Sequence, residues 1–255
     1  MRKATRKAVH QLLKNFAQKS LLTYDVEFLK KAYPFHRLFF DDVGLVAFKQ
    51  ERSVVTKMGQ TLYPELARLV AADKHHEVQR EKKIEGELSV TMDSTIRRIV
   101  GELRAKQRIP NHALEIAEVV NAKASGKRVS VRVIADLYIG DFPTGPFFAE
   151  IKTPLPNLDI CAESKLKILT FEALRHTENA RGYLVFAYNP FVTRAAYAHG
   201  FTKQLMDMDK EVLMGEEFWN VIGGRRTFTE LLDIIDAVGE EIRAEREGKS
   251  ADQAD

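Results

Sequence analysis

Asp136, Glu150 and Lys152 are the residues whose types and spacing most plainly suit chemistry, with thirteen residues between the acids and one between Glu150 and Lys152. The stretch ADLYIGDFPTGPFFAEIK, from Ala135, reads as an apolar strand ending at Asp136, a Pro/Gly turn, and a second apolar strand holding Glu-Ile-Lys. Strand side chains alternate, so Glu150 and Lys152 share one face while Ala149 and Ile151 take the other. A carboxylate and an ammonium buried beside Phe147, Phe148 and Ile151 cost free energy unless they are paired or hold a metal. With Asp136 and Glu150 side by side, their oxygens, the Ile151 backbone carbonyl and water would suit Mg²⁺, with Mn²⁺ as a substitute. That cation would polarise a phosphodiester. Lys152 would then orient or deprotonate the attacking water, or neutralise a pentavalent phosphorane. A nearby dication lowers an ammonium pKa and nearby carboxylates raise it, and the sequence leaves the outcome open. Asp141 is a rival ligand, but in Gly140-Asp141-Phe142-Pro143 an Asp is common for turn reasons. For the three together the alternative is a buried ion pair in a generic sheet.

The elements that must position these groups follow from periodicity. Residues 1–50 carry helical spacing, with Val9, Leu12, Leu13 and Phe16 on one face and a stop at Tyr33-Pro34. Phe35, Phe39 and Phe40 read as packing residues. Residues 51–73 read as a helix bent near Gly59 and Pro64, and His75 to Glu87 as a solvated helix or loop. Thr91–Ala105 and Ala113–Ala122 are helical, the latter closed by an Ala124-Ser125-Gly126-Lys127 turn. The period then changes to two at Val129, Val131, Val133 and Ala135. A strand over 145–152, a helix over Glu163–Thr177 and an apolar strand over Gly182–Tyr188 follow. Residues 191–220 read as helical with breaks at Gly200 and Gly215. Thr227-Phe228-Thr229-Glu230 is a capping box opening a last helix. This order predicts an α/β/α sandwich with a central mixed sheet and a largely helical N-terminal part. The expected organisation is a helical segment over 1–50, a main domain over 51–245 and a disordered tail over 246–255.

A chain of 255 residues with 45% apolar content can bury a substantial core. No apolar run is long enough for a membrane helix, and no signal-peptide pattern opens the chain. One cysteine, Cys161, rules out an internal disulfide and fits a reducing cytoplasm. A net charge of +3 permits nucleic-acid binding without demanding it. His75-His76 lacks a partner at metal-ligand spacing, Cys161 lacks an activating His, and Trp219 reads as a packing anchor. Asp207, Asp209 and Glu211 read as an acidic helix face and not as a second metal site.

The Asp136, Glu150, Lys152 pattern resembles that of the PD-(D/E)xK nuclease superfamily, with Ala135 where a proline usually precedes the Asp. Glu65, after Ser53, Lys57 and Gly59, resembles the acid that a first helix often lends such sites, and reads equally as an exposed helix glutamate. The strings EIKTPLPNLDICAESKLKILTF, YNPFVTR and HGFTKQLMDMDKEVLMGEEFWNVIGG look like the TdeIII-like type II restriction endonucleases, over about residues 130–240. That resemblance implies a Mg²⁺-dependent homodimer cutting double-stranded DNA at a short palindrome of the GGNCC type. It also implies 5′-phosphate and 3′-hydroxyl products, and a protective cytosine DNA methyltransferase. Arg194, Lys203 and Gln204 are candidates for reading base edges. Lys165, Lys167, Arg175, Arg225 and Arg226 are candidates for holding phosphates. Each also reads as an ordinary solvated side chain. A structure-specific repair or recombination nuclease and a non-catalytic DNA-binding protein are the alternatives.

Overall fold

The computed structural model describes residues 1–20, 23–122 and 126–251. It divides into two compact units, one made of 1–66 with 229–255, the other of 67–228. The boundary expected at residue 50 falls inside a helix, α3 (Asp42–Lys57), so the N-terminal unit is longer than its sequence suggested and is completed by the C-terminal helix. The described residues include no helix long and apolar enough to cross a membrane.

The first unit is helical: α1 (Lys3–Ser20), α2 (Val26–Ala32), a 3-10 turn over Pro34–Leu38, α3, and a π turn over Met58–Leu62. The last leads into α4 (Tyr63–Ala71), so the predicted bend at Gly59 is a widened turn within a continuous helical path. The C-terminal helix, α11 (Thr227–Ala251), joins this unit from Thr229 onward. One face of α1 reaches α11 through charges a helical turn apart. Arg6 meets Glu230 at 3.0 Å, His10 meets Glu241 at 2.7 Å and Lys14 meets Glu245 at 2.8 Å. The helix continues through part of the segment expected to be a disordered tail; residues 252–255 lie outside the described residues.

The second unit has a mixed sheet of β1 (Val78–Gln79), β4 (Leu137–Ile139), β5 (Phe147–Lys152), β6 (Arg181–Phe186) and β7 (Val212–Met214), in that order. β1, β4 and β5 pair antiparallel, while β5, β6 and β7 are parallel. A separate ribbon pairs β2 (Lys82–Ser89) with β3 (Arg128–Ala135). The helices are α5 (Val90–Arg104), α6 (His112–Val120), α7 (Leu158–Leu174), α8 (Gly200–Leu205), α9 (Met208–Glu211) and α10 (Glu216–Gly223).

Three strands depart from the sequence reading. β1 and β2 lie in the stretch expected to be a solvated helix or loop, and in β2 only Ile84, Leu88 and Ser89 are buried amid exposed charges. β7 interrupts the run expected to be helical. Ala124 and Ser125, expected in a turn, lie outside the described residues.

α7 is buried around much of its circumference and shows no clean apolar stripe, as expected of a central helix. Asn157 caps it, accepting from the Ile160 N–H at 2.9 Å after Pro154 and Pro156 end the strand. Between β4 and β5 the chain turns back at Gly145, φ +117°, where an added Cβ would lie 2.4 Å from the Glu178 carbonyl oxygen.

Candidate active site

The site is built where the strand carrying Asp136 bends. β3 ends at Ala135 and β4 begins at Leu137, whose register partner on β5 is Ala149. At the bend the Asp136 N–H donates to the Ala149 carbonyl at 3.0 Å. The Asp136 side chain then takes over from backbone: its Oδ2 accepts from the Ile151 N–H at 2.7 Å. The carboxylate is thus fixed beside Glu150 by a charge-assisted hydrogen bond.

β5 lies between β4 and β6, and its alternation sends Phe148, Glu150 and Lys152 to the face that α7 covers. Phe148 stacks on Phe171 of α7, with centroids 4.9 Å apart. One helical turn before Phe171 stands Lys167, and its Nζ donates to Glu150 Oε1 at 2.7 Å. Lys152 Nζ reaches the same oxygen at 2.6 Å and Asp136 Oδ2 at 3.2 Å. Two carboxylates and two ammoniums therefore converge. Glu150 is fully buried and its Oε2 has no hydrogen-bond partner, while the Lys152 and Asp136 side chains are each 28% exposed. The group is closed at its base and open to solvent above.

Burial raises the Glu150 carboxyl above its ordinary range and Asp136 adds to the rise, with Lys152 and Lys167 opposing. Burial pulls the Lys152 ammonium down, but Glu150 and then Asp136 outweigh it, so its pKa lies above the ordinary lysine value. In this arrangement the carboxylates win the contest that the sequence left open, and Lys152 is an ammonium.

A hard cation fits the donor set. Glu150 keeps an orphaned buried oxygen, Lys152 bridges its other oxygen to a second carboxylate, and both acids are hard oxygen ligands. No group of three or more His, Cys, Asp or Glu side chains suited to a metal exists among the described residues. The remaining ligands would be backbone carbonyl, substrate and water oxygens, which suits a cation that keeps part of its hydration. Asp141, the rival, instead accepts from the His76 and Glu77 N–H groups at 2.8 and 3.2 Å, a turn role.

The other candidate residues are dispersed. Lys165, two residues from Lys167 and so on the other side of α7, is fully buried. It pairs with Glu115 and, at 2.5 Å, with Glu211, so its ammonium does not reach a surface that a phosphate meets. Arg194 is committed to Glu217 and to the carbonyls of Met208 and Val212 at 2.6 and 2.7 Å. Gln204 donates to the Leu103 and Arg104 carbonyls at the end of α5. Arg175 pairs with Glu178 at 3.0 Å. Lys203, Arg225 and Arg226 are exposed. Glu65 is half-buried in the first turn of α4, in the first unit.

The expected acidic face over 207–211 is corrected in part. Glu211 is fully buried, held by Lys165 and by His112 Nδ1 at 3.1 Å, and Asp207 caps α9. The contact of Lys167 with Glu150 escaped the sequence reading, although Lys167 stands four residues from the buried Phe171, a spacing that turns it toward the sheet.

Comparison with known proteins adds an independent line. The family described as type II restriction endonuclease, HinfI, matches residues 1–239. The type II restriction enzyme HgiCII of Herpetosiphon aurantiacus is 31% identical over 211 residues, covering 81% of this chain and 77% of its own. HgiBI and HgiEI, type II restriction enzymes of the same organism, are each 28% identical over 256 residues, covering 92% of this chain and 93% of their own. No solved structure matches the chain.

Proposed function

The chain belongs to the HinfI family of type II restriction endonucleases, DNA-cleaving hydrolases, and from that premise we propose which atoms do the cutting. Asp136 and Glu150, with the Ile151 backbone carbonyl, hold a divalent cation, Mg²⁺ with Mn²⁺ as a substitute. That ion supplies charge neutralisation at the scissile phosphate and acidification of water. Asp136 is pre-set for this by the Ile151 N–H, so little reorganisation is needed. Lys152 holds the attacking water in line and offsets negative charge as the water oxygen bonds to phosphorus. The P–O3′ bond breaks, leaving a 5′-phosphate and a 3′-hydroxyl. Lys167 steadies Glu150 from α7.

The observation that carries the reading is the convergence of Lys152 on both carboxylates beside the unpartnered Glu150 Oε2. It has the form of the PD-(D/E)xK pattern. Lys203, Arg225 and Arg226 are the exposed cations best suited to DNA contact, and an even phosphate-holding role fits them. The substrate is double-stranded DNA carrying a short palindrome, of the GGNCC type by the resemblance of residues 130–240 to TdeIII-like enzymes. A palindrome calls for two copies about a shared two-fold axis. Host protection calls for a cytosine DNA methyltransferase.

Incubating the protein with plasmid DNA and Mg²⁺, then sequencing the fragment ends, tests this directly. Discrete fragments with one shared palindrome are expected. Lys152→Ala and Glu150→Gln should lower cleavage by about 10²–10⁴-fold while leaving DNA binding measurable. Full cleavage by Lys152→Ala, or cutting confined to branches and ends, would overturn the assignment.

A further inference from the structure

The first unit exposes more apolar surface than its own fold uses. Phe28, Phe35, Leu38, Phe39 and Val43, within sixteen residues of sequence, are each 64–80% exposed. The segment beneath them is ordered. His36 and Phe40 both pack on Phe48, with centroids 4.6 and 5.6 Å apart, and Tyr33 meets Phe48 edge-on at 5.9 Å. In the 3-10 turn residues three apart eclipse, so Phe35 and Leu38 project from one side. Phe39 and Val43 continue the run across the Asp41 cap of α3.

An aromatic side chain carries about 150–250 Å², so the three phenylalanines with the smaller Leu38 and Val43 offer on the order of 700 Å². The largest apolar patch of an ordinary monomer is about 300–600 Å². A standard interface buries about 800 Å² on each partner. Summed over these side chains, the exposed apolar area approaches what one partner brings to a stable dimer contact.

Charge distinguishes the occupants. From Asp25 to Val43 there are four acids (Asp25, Glu27, Asp41, Asp42) and three bases (Lys30, Lys31, Arg37). Lys30 is already tied to Glu27 and Asp42, each at 3.0 Å. A surface that meets a phosphate backbone needs a basic excess, and this one has none. Both signs around an apolar centre suit a surface that meets its own copy about a two-fold axis, acid facing base. We propose that the Phe28–Val43 face is the isologous contact between two copies of this chain. Each copy then brings one Asp136–Glu150–Lys152 centre to one DNA strand. The inference rests on the reading that the target is a palindrome cut by a pair.

Sedimentation velocity of the full chain across the micromolar range should show a dimer. The triple variant Phe35→Gln/Leu38→Gln/Phe39→Gln should raise the dimer dissociation constant about a hundredfold or more. Its circular dichroism should not change, and its nicking of supercoiled plasmid should persist while linearisation falls. Should that variant unfold, single Phe35→Cys and Phe39→Cys chains serve instead, since Cys161 is buried and silent. Both should yield covalent dimers with a short bifunctional maleimide. A wild type that is monomeric with and without DNA overturns the proposal, as does one that is monomeric and binds neutral phosphatidylcholine vesicles. A triple variant that remains dimeric overturns it too. A Lys152→Ala chain that is dimeric but inactive supports it. A dimeric wild type that never cuts DNA removes the nuclease reading and leaves this contact standing.

Discussion

Two clusters in the second unit bury carboxylates against lysines, and they end with different chemical capacity. Around Lys165, the side chains of Glu115, Glu211, His112 and Glu172 are almost entirely shut from solvent. Their oxygens are met from several elements: Glu211 takes Lys165, His112 and the Asp207 N–H, Glu172 takes the Gly182 N–H at 2.8 Å, and Glu115 Oε2, which has no hydrogen bond, is ion-paired with Lys165. The His112 Nε2 contact with Glu172, 3.0 Å long, is too poorly angled to count as a hydrogen bond and acts as charge attraction. Around Lys152 the charges are as dense, but Glu150 Oε2 has no hydrogen bond and three of the four side chains open to solvent. Buried charge alone does not make a site. Incomplete satisfaction beside an opening does, because a ligand can lower the free energy there and nowhere in the closed cluster.

Removing one charged group from each cluster gives the largest contrast. Lys165→Met strands Glu115 without a counter-charge, leaves Glu211 with His112 alone, and should cost about 3–5 kcal/mol in chemical denaturation. Glu150→Gln leaves Lys152 and Lys167 with solvent and with Asp136 and Glu163, and should cost about 1 kcal/mol or less. Equal losses from the two would break the comparison.

The closed cluster should also respond to pH. Burial pulls the His112 imidazole down, but Glu172 and Glu211 prevail and push its pKa up to about 9. Lys165, Glu115 and Asp207 complete its charged surroundings. A raised pKa means stability that is full below the unfolded value near 6.5 and lost as pH climbs through about 9, on the order of 3 kcal/mol. Denaturation midpoints between pH 6 and 10 should fall accordingly. His112→Gln should be weaker at pH 6 and flatter across the range; an unchanged slope would exclude His112 as its source.

The smallest expected effect sharpens the open cluster. Lys167→Met removes one of two ammoniums from Glu150 Oε1 and should slow cleavage about tenfold, against the larger loss from Lys152→Ala. Equal losses would make Lys167 a partner in the chemistry and not a support for Glu150.

Much of the candidate site was legible because a strand's period of two is local. The alternation around Val129–Ala135 and Phe147–Lys152 located both strands, and the Glu-Ile-Lys spacing put two charges on one face. β2 was hidden because a half-exposed ribbon needs only Ile84 and Leu88 as inward residues, and exposed charges surround them. β7 was hidden because three residues carry no period. Glu211 and Lys165 read as surface charges because helical charges look alike whether solvent or another helix receives them.

The chain's linear order determined the strand pair that carries Asp136, Glu150 and Lys152, since alternation and turn chemistry act between neighbouring residues. Packing decided the rest: that α7 lays Lys167 on Glu150, that Lys165 is sealed away, and that residues 229–251 complete the helical first unit. Those outcomes depend on which elements meet, and a charge's role is fixed by the groups and the solvent brought to it from distant parts of the chain.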